Sequence, residues 1–226
     1  MAARIAVVVF PGTNCEHDVA AAVERAGAAA SLTWHRDRDL GQADAVVLPG
    51  GFAHGDYLRP GALARFSPVM EAVAGFAAGG GPVVGICNGF QILTEAGLLP
   101  GALVKNRGLR FVCAPSRVRV DSERSAVTAG VAVGTVLSIP VNHFSGSYVC
   151  DARTLAALRD GDQVVLRYLE NPNGSVDDIA GVANAAGNVV GLMPHPERAA
   201  DALLGSTDGL VLLAALLAQA AGVRAA

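Results

Sequence analysis

The chain has 226 residues, 52% of them hydrophobic, and a formal net charge of −3. That length suits one large α/β domain with a buried core and is short for two, and the scattered basic residues form no stripe suited to nucleic acid or an anionic membrane. No apolar stretch reaches the roughly 18 residues of a membrane span, and the chain opens on what reads as a strand rather than a secretory leader, so a cytoplasmic protein with a single domain over 1–226 is expected.

Residues 5–10 form a continuous apolar run, the pattern of a strand buried on both faces, closed by Pro11-Gly12. Thr13-Asn14-Cys15-Glu16 has the spacing of a capping box, and Val19, Ala22, Val23 and Ala26 then recur at helical spacing up to Gly27. Loops of this kind line the carboxyl edge of a parallel sheet, so Asn14 and Cys15 stand open between simple capping and a site role. Strands are expected at 29–34 and 45–48. The second runs into Pro49-Gly50-Gly51-Phe52-Ala53-His54-Gly55-Asp56-Tyr57-Leu58-Arg59, whose glycines let backbone N–H groups turn inward to hold an oxyanion. His54 reads as a loop histidine rather than a base. A helix over 68–78 ends at Gly79-Gly80-Gly81, which lacks the Gly-Lys-Ser/Thr ending of a phosphate loop and precedes a strand.

That strand, 83–86, stops in Gly85-Ile86-Cys87-Asn88-Gly89, and an amphipathic helix over 88–96 begins at once. A residue at the tip of so sharp a turn carries a strained backbone, costing roughly 1–3 kcal/mol, and flanking glycines let strand and helix approach. The Cys87 thiol then sits at a helix N-terminus, where dipole and free N–H groups favour the thiolate. Cys87 is the candidate nucleophile. The alternation of strands and helices to this point predicts a doubly wound, mainly parallel α/β sheet whose strand ends share one edge.

Beyond Pro100-Gly101 the runs shorten. Residues 111–120 and 135–140 read as strands of a small antiparallel flap on the main sheet. Asn142-His143-Phe144-Ser145-Gly146-Ser147-Tyr148 is a polar loop, open between a pocket wall and a surface turn. A short helix near 155–158, a strand at 163–168 and a turn at 171–175 follow, then a hairpin of 178–184 and 188–193 around Gly187, and a closing helix over 210–220. The hairpin's second strand delivers Pro194-His195-Pro196-Glu197. Pro196 holds His195 out of the helical region, so His195 and Glu197, two apart in extended chain, project to one side. His195 then serves as base and acid for the thiol, and Glu197 orients it. Histidine precedes its acid by two residues, which disfavours the α/β-hydrolase order. The four cysteines, Cys15, Cys87, Cys113 and Cys150, are far apart with no C-x-x-C pair, so neither a zinc site nor a disulfide framework is expected.

Gly85-Ile86-Cys87-Asn88-Gly89 with Gln91, Pro49-Gly50-Gly51 before it and His195-Pro196-Glu197 after it resemble the class I (triad) glutamine amidotransferases. Pro11-Gly12-Thr13-Asn14-Cys15, Asp56-Tyr57-Leu58-Arg59, Asn88-Gly89-Phe90 and Glu170-Asn171-Pro172-Asn173-Gly174-Ser175 narrow the resemblance to the glutaminase-subunit family of phosphoribosylformylglycinamidine synthases. It covers nearly the whole chain. The resemblance implies a flavodoxin-like type-1 amidotransferase domain with Cys87, His195 and Glu197 as triad, backbone N–H groups of Gly51 and Asn88 as oxyanion hole, and Gln91 in the glutamine pocket. It implies no cofactor and no metal on this chain, ATP and Mg on a large synthetase subunit, and a small bridging subunit, with formylglycinamide ribonucleotide as the synthetase's substrate in purine synthesis. The family's loop at 142–148 usually carries His-Gly-Glu-Gly, whereas this chain has His143-Phe144-Ser145-Gly146 and no acidic residue, which opens the question of how the charged end of glutamine is held. Two other readings stay open: a glutaminase serving another synthetase, and a redox-sensing protein of similar fold.

Overall fold

The computed structural model describes residues 2–223. In chain order the elements are β1 (Arg4–Val9), α1 (Glu16–Arg25), β2 (Ala29–Trp34), β3 (Ala45–Leu48), α2 (Val69–Ala78), β4 (Val83–Ile86), α3 (Asn88–Glu95), β5 (Ala102–Val104), β6 (Val112–Ala114), β7 (Arg117–Val120), β8 (Val136–Ser138), β9 (Val141–His143), β10 (Ser147–Val149), α4 (Ala152–Asp160), β11 (Val164–Tyr168), β12 (Ile179–Ala183), β13 (Val189–Leu192) and α5 (Gly209–Val223). A nine-stranded sheet runs β2-β1-β3-β4-β13-β12-β11-β7-β8. From β2 to β13 every pairing is parallel; from β13 to β8 every pairing is antiparallel.

The parallel strands form where the sequence predicts, because strands covered on both faces are apolar throughout: β3, β4 and β13 are buried at every position. Helix α3 packs on them so closely that a Cβ on Gly89 would lie 1.9 Å from the Leu48 carbonyl oxygen. Glycine alone permits that approach. Register brings Leu48 beside Gly85 and Ile86 beside Leu192, so β3, β4 and β13 end together. Among the described residues no helix is long and apolar enough to cross a membrane.

Three details depart from the sequence reading. The capping box is not formed: Cys15 caps α1 without a side-chain bond, while the Thr13 hydroxyl oxygen accepts from Phe10 N–H at 3.0 Å and Thr13 bridges to Gly51. The 10–15 loop is thereby drawn against the 50–51 loop instead of winding directly into the helix. The expected strand over 111–120 is two strands separated at Pro115 and Ser116; β7 pairs with β8 and β11 to extend the main sheet, and β6 pairs with β9 in a separate two-stranded sheet. Finally, β5 and β10 pair as a second small sheet where no strand is read from sequence, each being only 3 residues long.

Candidate active site

The loops that follow β1, β3, β4 and β13 meet at the carboxyl edge of the sheet, where strands end and helix N-termini begin. Cys87 sits between β4 and α3 with φ 51° and ψ −103°, a left-handed conformation that side chains rarely adopt. Its N–H donates to Leu192 O at 2.8 Å and its carbonyl accepts the first bond of α3 from Gln91 N–H, so the elbow is tied to β13 on one side and to the helix on the other. The thiol points along the same edge, 3.6 Å from Asn142 O.

His195 and Glu197 are both buried, and His195 Nδ1 lies 2.5 Å from a Glu197 carboxylate oxygen. The pair forms, but not by strand alternation. Pro196 opens a short 3-10 turn over Pro196–Ala199, which folds Glu197 back beneath the imidazole of His195, itself in a non-helical conformation. With Nδ1 bonded to a carboxylate, Nε2 is the nitrogen free to take a proton; it is buried without a hydrogen-bond partner. Burial alone would lower the pKa of His195, yet the charges of Glu197 and Cys87 carry it well above the ordinary histidine value. An imidazolium is therefore stabilised beside the thiol. His143 behaves oppositely: burial and then the charge of His195 push it down to about 4, and its Nδ1 lies 3.1 Å from Asn106 Oδ1, so it is a neutral structural residue.

Gly50 marks how tightly the groups gather. A Cβ there would lie 2.7 Å from His195 Cε1, 3.2 Å from Cys15 Sγ and 3.5 Å from Cys87 Cβ. The next residue, Gly51, has φ 150°, and its bridge to Thr13 is made by the Phe52 and Asn14 N–H groups, so the pairing does not use the N–H of Gly51. Asn88 is the first residue of α3, where backbone N–H groups have no intrahelical acceptor. Gly51 thus lies in the loop after β3 with its N–H outside the bridge to Thr13, and Asn88 directly follows Cys87 at the start of α3.

A cavity of about 470 Å³ opens over these groups, with Cys87, His195, Gly51, Gln91 and Asn142 in its wall. Gln91 lines it with both ends of its amide engaged: Nε2 donates to Ser145 O at 2.6 Å and Oε1 accepts from Asn88 Nδ2 at 2.8 Å. Asn88 Oδ1 in turn accepts from Ala53 N–H at 2.9 Å. This chain of amides ties the 50–56 loop, the elbow helix and the 142–146 loop together. The loop at 142–148, left open in the sequence reading, is a pocket wall. His54 faces away, its ring 5.3 Å from that of His35, in keeping with a loop histidine.

Sequence reasoning left Cys15 open and gave Arg198 no role. Cys15 is buried next to the triad, and Arg198 Nη2 donates to its sulfur at 3.3 Å. Donor atoms of Cys15, His195 and Glu197 lie within 4.8 Å of one another, the one such cation-sized group among the described residues; the imidazole–carboxylate bond already engages two of the three side chains. Cys15 and Arg198 are 183 residues apart, so no local pattern announces the contact. Chemically, a thiol on a strained elbow, a buried imidazole at the same cavity and a carboxylate bonded to that ring are groups that can carry acyl transfer through a thioester.

A family model described as the CobB/CobQ-like glutamine amidotransferase domain matches residues 2–208. The chain is 60% identical over 217 residues to the phosphoribosylformylglycinamidine synthase subunit PurQ of Rubrobacter xylanophilus, covering 96% of this chain and 99% of that one. It is 54% identical to the corresponding subunit of Synechococcus elongatus, over 95% of this chain and 97% of that one. Among solved structures it superposes on a chain from the structure of PurLQS from Thermotoga maritima with a TM-score of 0.89 and 41% identity, covering 96% of this chain and 99% of that one.

Proposed function

The chain belongs to the CobB/CobQ-like glutamine amidotransferases and, among them, to the PurQ subunits of phosphoribosylformylglycinamidine synthase, and we propose from that premise how it works. It is the glutaminase subunit of the synthase: it hydrolyses glutamine to glutamate and supplies ammonia to the large synthetase subunit, which makes formylglycinamidine ribonucleotide for purine biosynthesis. Cys87 attacks the side-chain amide carbon as a thiolate, and the N–H groups of Gly51 and Asn88 hold the oxyanion that develops. Losing one such donor typically costs about 10²–10³ in rate. His195, held protonated by Glu197, gives its proton to the departing amine, and ammonia leaves. The neutral imidazole then takes a proton from water, hydroxide attacks the γ-glutamyl thioester, and the thiol leaves with glutamate. Glu197 keeps the ring in the productive tautomer throughout.

The observation that carries this reading is the strained Cys87 lining one cavity with His195, whose ring is held from behind by the buried Glu197. Gln91 acts by holding the 142–146 wall through Ser145. ATP and Mg belong to the synthetase partner, a reading supported by the lack of a phosphate-loop motif in the sequence. A small bridging subunit completes the complex, which we place in the cytoplasm.

The test is glutamate release from glutamine by the isolated chain and by the chain assembled with synthetase and small subunits, ATP and formylglycinamide ribonucleotide. Release that rises on assembly, and disappears in Cys87→Ala while added ammonia still drives synthesis, supports the reading. If ammonia drives synthesis and glutamate never appears, the chain is not the ammonia donor.

A further inference from the structure

The cavity that holds Cys87 has few fixed charges. Leaving aside its thiols and histidines, the ionisable side chains that line it are Asp56, Arg59 and Lys105. Arg59 is engaged elsewhere, its Nε and Nη2 donating to the Glu95 carboxylate at 2.5 and 2.7 Å. Among the described residues Asp56 and Lys105 are in no ion pair. Asp56 accepts one hydrogen bond, on Oδ1, from Asn88 Nδ2 at 3.2 Å. Lys105 holds its ammonium 5.9 Å from the centre of the Phe144 ring, on the 142–146 wall. Much of the remaining wall is apolar, including Phe52, Leu58 and Leu103.

A cavity with one unpaired carboxylate and one unpaired ammonium, otherwise largely apolar, suits a ligand carrying one charge of each sign, because such a ligand loses water on entry and needs a partner for each. Free glutamine is that ligand: its amide reacts at Cys87, and its α-ammonium and α-carboxylate sit together at the far end. The geometry points to Asp56 as the residue that receives the α-ammonium of glutamine and to Lys105 as the one that receives its α-carboxylate. This inference rests on the glutaminase reading above. It also answers the question raised by the loop at 142–148, which lacks an acidic residue: Asp56 supplies the carboxylate from the opposite loop. Burial raises Asp56 to about 6 against the Asn88 hydrogen bond, so it remains mostly ionised at neutral pH. Its backbone, with φ 53°, lies in a stretch where His54 and Leu58 are also left-handed, a conformation sustained only where surrounding structure imposes it.

The experiment is steady-state glutaminase kinetics on the assembled complex, with two analogues as competitive inhibitors. The desamino analogue 5-amino-5-oxopentanoate keeps the carboxylate and lacks the ammonium; glutamine α-methyl ester keeps the ammonium and lacks the carboxylate. Asp56→Asn is expected to raise KM for glutamine about 10- to 100-fold, with a smaller effect on kcat. It should leave inhibition by the desamino analogue within about twofold, since the lost partner faces a group that the analogue does not have. Lys105→Ala should weaken glutamine and spare the methyl ester, and Asp56→Glu should restore part of the loss. If Asp56→Asn weakens glutamine and the desamino analogue equally, or lowers kcat with KM unchanged, Asp56 only supports Asn88 and the inference is overturned. A wild-type complex that releases no glutamate would instead sink the glutaminase reading itself.

Discussion

The nine-stranded sheet joins two dissimilar halves at β13. On one side β1, β3 and β4 run parallel to β13 and are buried almost residue for residue. On the other, β7 alternates exposed and buried positions, and its exposed positions carry Arg117 and Arg119. There Arg119 and Arg167 share Asp121, while Arg167 and Arg159 share Asp177, so a chain of ion pairs faces the solvent. Parallel strands all finish at one edge, and their following loops meet; Cys87, Gly51, His195 and Glu197 come from those loops. Antiparallel strands finish alternately at both edges and supply none of these groups. What the second half contributes is backing for the cavity wall: Asn173, between β11 and β12, donates through Nδ2 to Gly146 O at 2.8 Å, beside Asn106 of the β5–β6 connection, whose Oδ1 accepts from Gly146 N–H at 3.0 Å. Substitutions in the parallel half should therefore damage chemistry first, and those in the antiparallel half stability first.

The largest expected effect is that of Cys87→Ala, which should reduce glutamate release by about 10⁴-fold or more, with melting temperature nearly unchanged and ammonia-driven synthesis intact. Cys15→Ser should retain measurable release; loss of release there, with Cys87→Ala still active, would exchange the two thiols' roles. Next comes Glu197→Gln, which keeps the shape of the pair but removes the charge that sustains the imidazolium. A loss of about 10²–10⁴ in kcat is expected, read in the same assay. Gly50→Ala sharpens the comparison, because its added methyl has no room beside His195 Cε1. The imidazole must shift, and about a 10²-fold fall in kcat/KM is expected, larger than the accompanying change in stability.

The smallest effect belongs to the antiparallel half. Arg159 and then Arg167 hold the Asp177 carboxyl down to about 2. A depressed carboxyl stabilises the fold above its unfolded pKa, and that contribution is lost as pH falls through the folded value. Asp177→Asn should thus lower the melting temperature by a few degrees at neutral pH, with kcat unaffected. The gap between wild type and variant should close as pH drops from about 4 towards 2. A gap that persists at pH 2 would mean that the aspartate acts by packing and not by charge.

The same division explains what was legible in the sequence. β3, β4 and the elbow at Cys87 stand out because a strand covered on both faces is apolar throughout and glycines mark where backbones touch. β5, β9 and β10 are three residues each, too short to show a period, so the 141–149 region reads as loop. Pairing of His195 with Glu197 is readable from spacing although the turn that achieves it is 3-10 and not extended, because Pro196 restricts the chain in either case. The capping box at Thr13 misleads because its hydroxyl has a nearer acceptor role at Phe10. Contacts such as Arg198 with Cys15, or Gln91 with Ser145, depend on where distant loops end, and no local pattern encodes that.

The central claim is that Cys87 is the thiol that takes the glutamyl group. The most direct test treats the assembled complex with the reactive glutamine analogue 6-diazo-5-oxo-L-norleucine and maps the adduct by peptide mass spectrometry. The account predicts one label, on Cys87, blocked by excess glutamine and accompanied by loss of glutamate release but not of ammonia-driven synthesis. A label on Cys15 that tracks the loss of activity, with Cys87 unmodified, would contradict it.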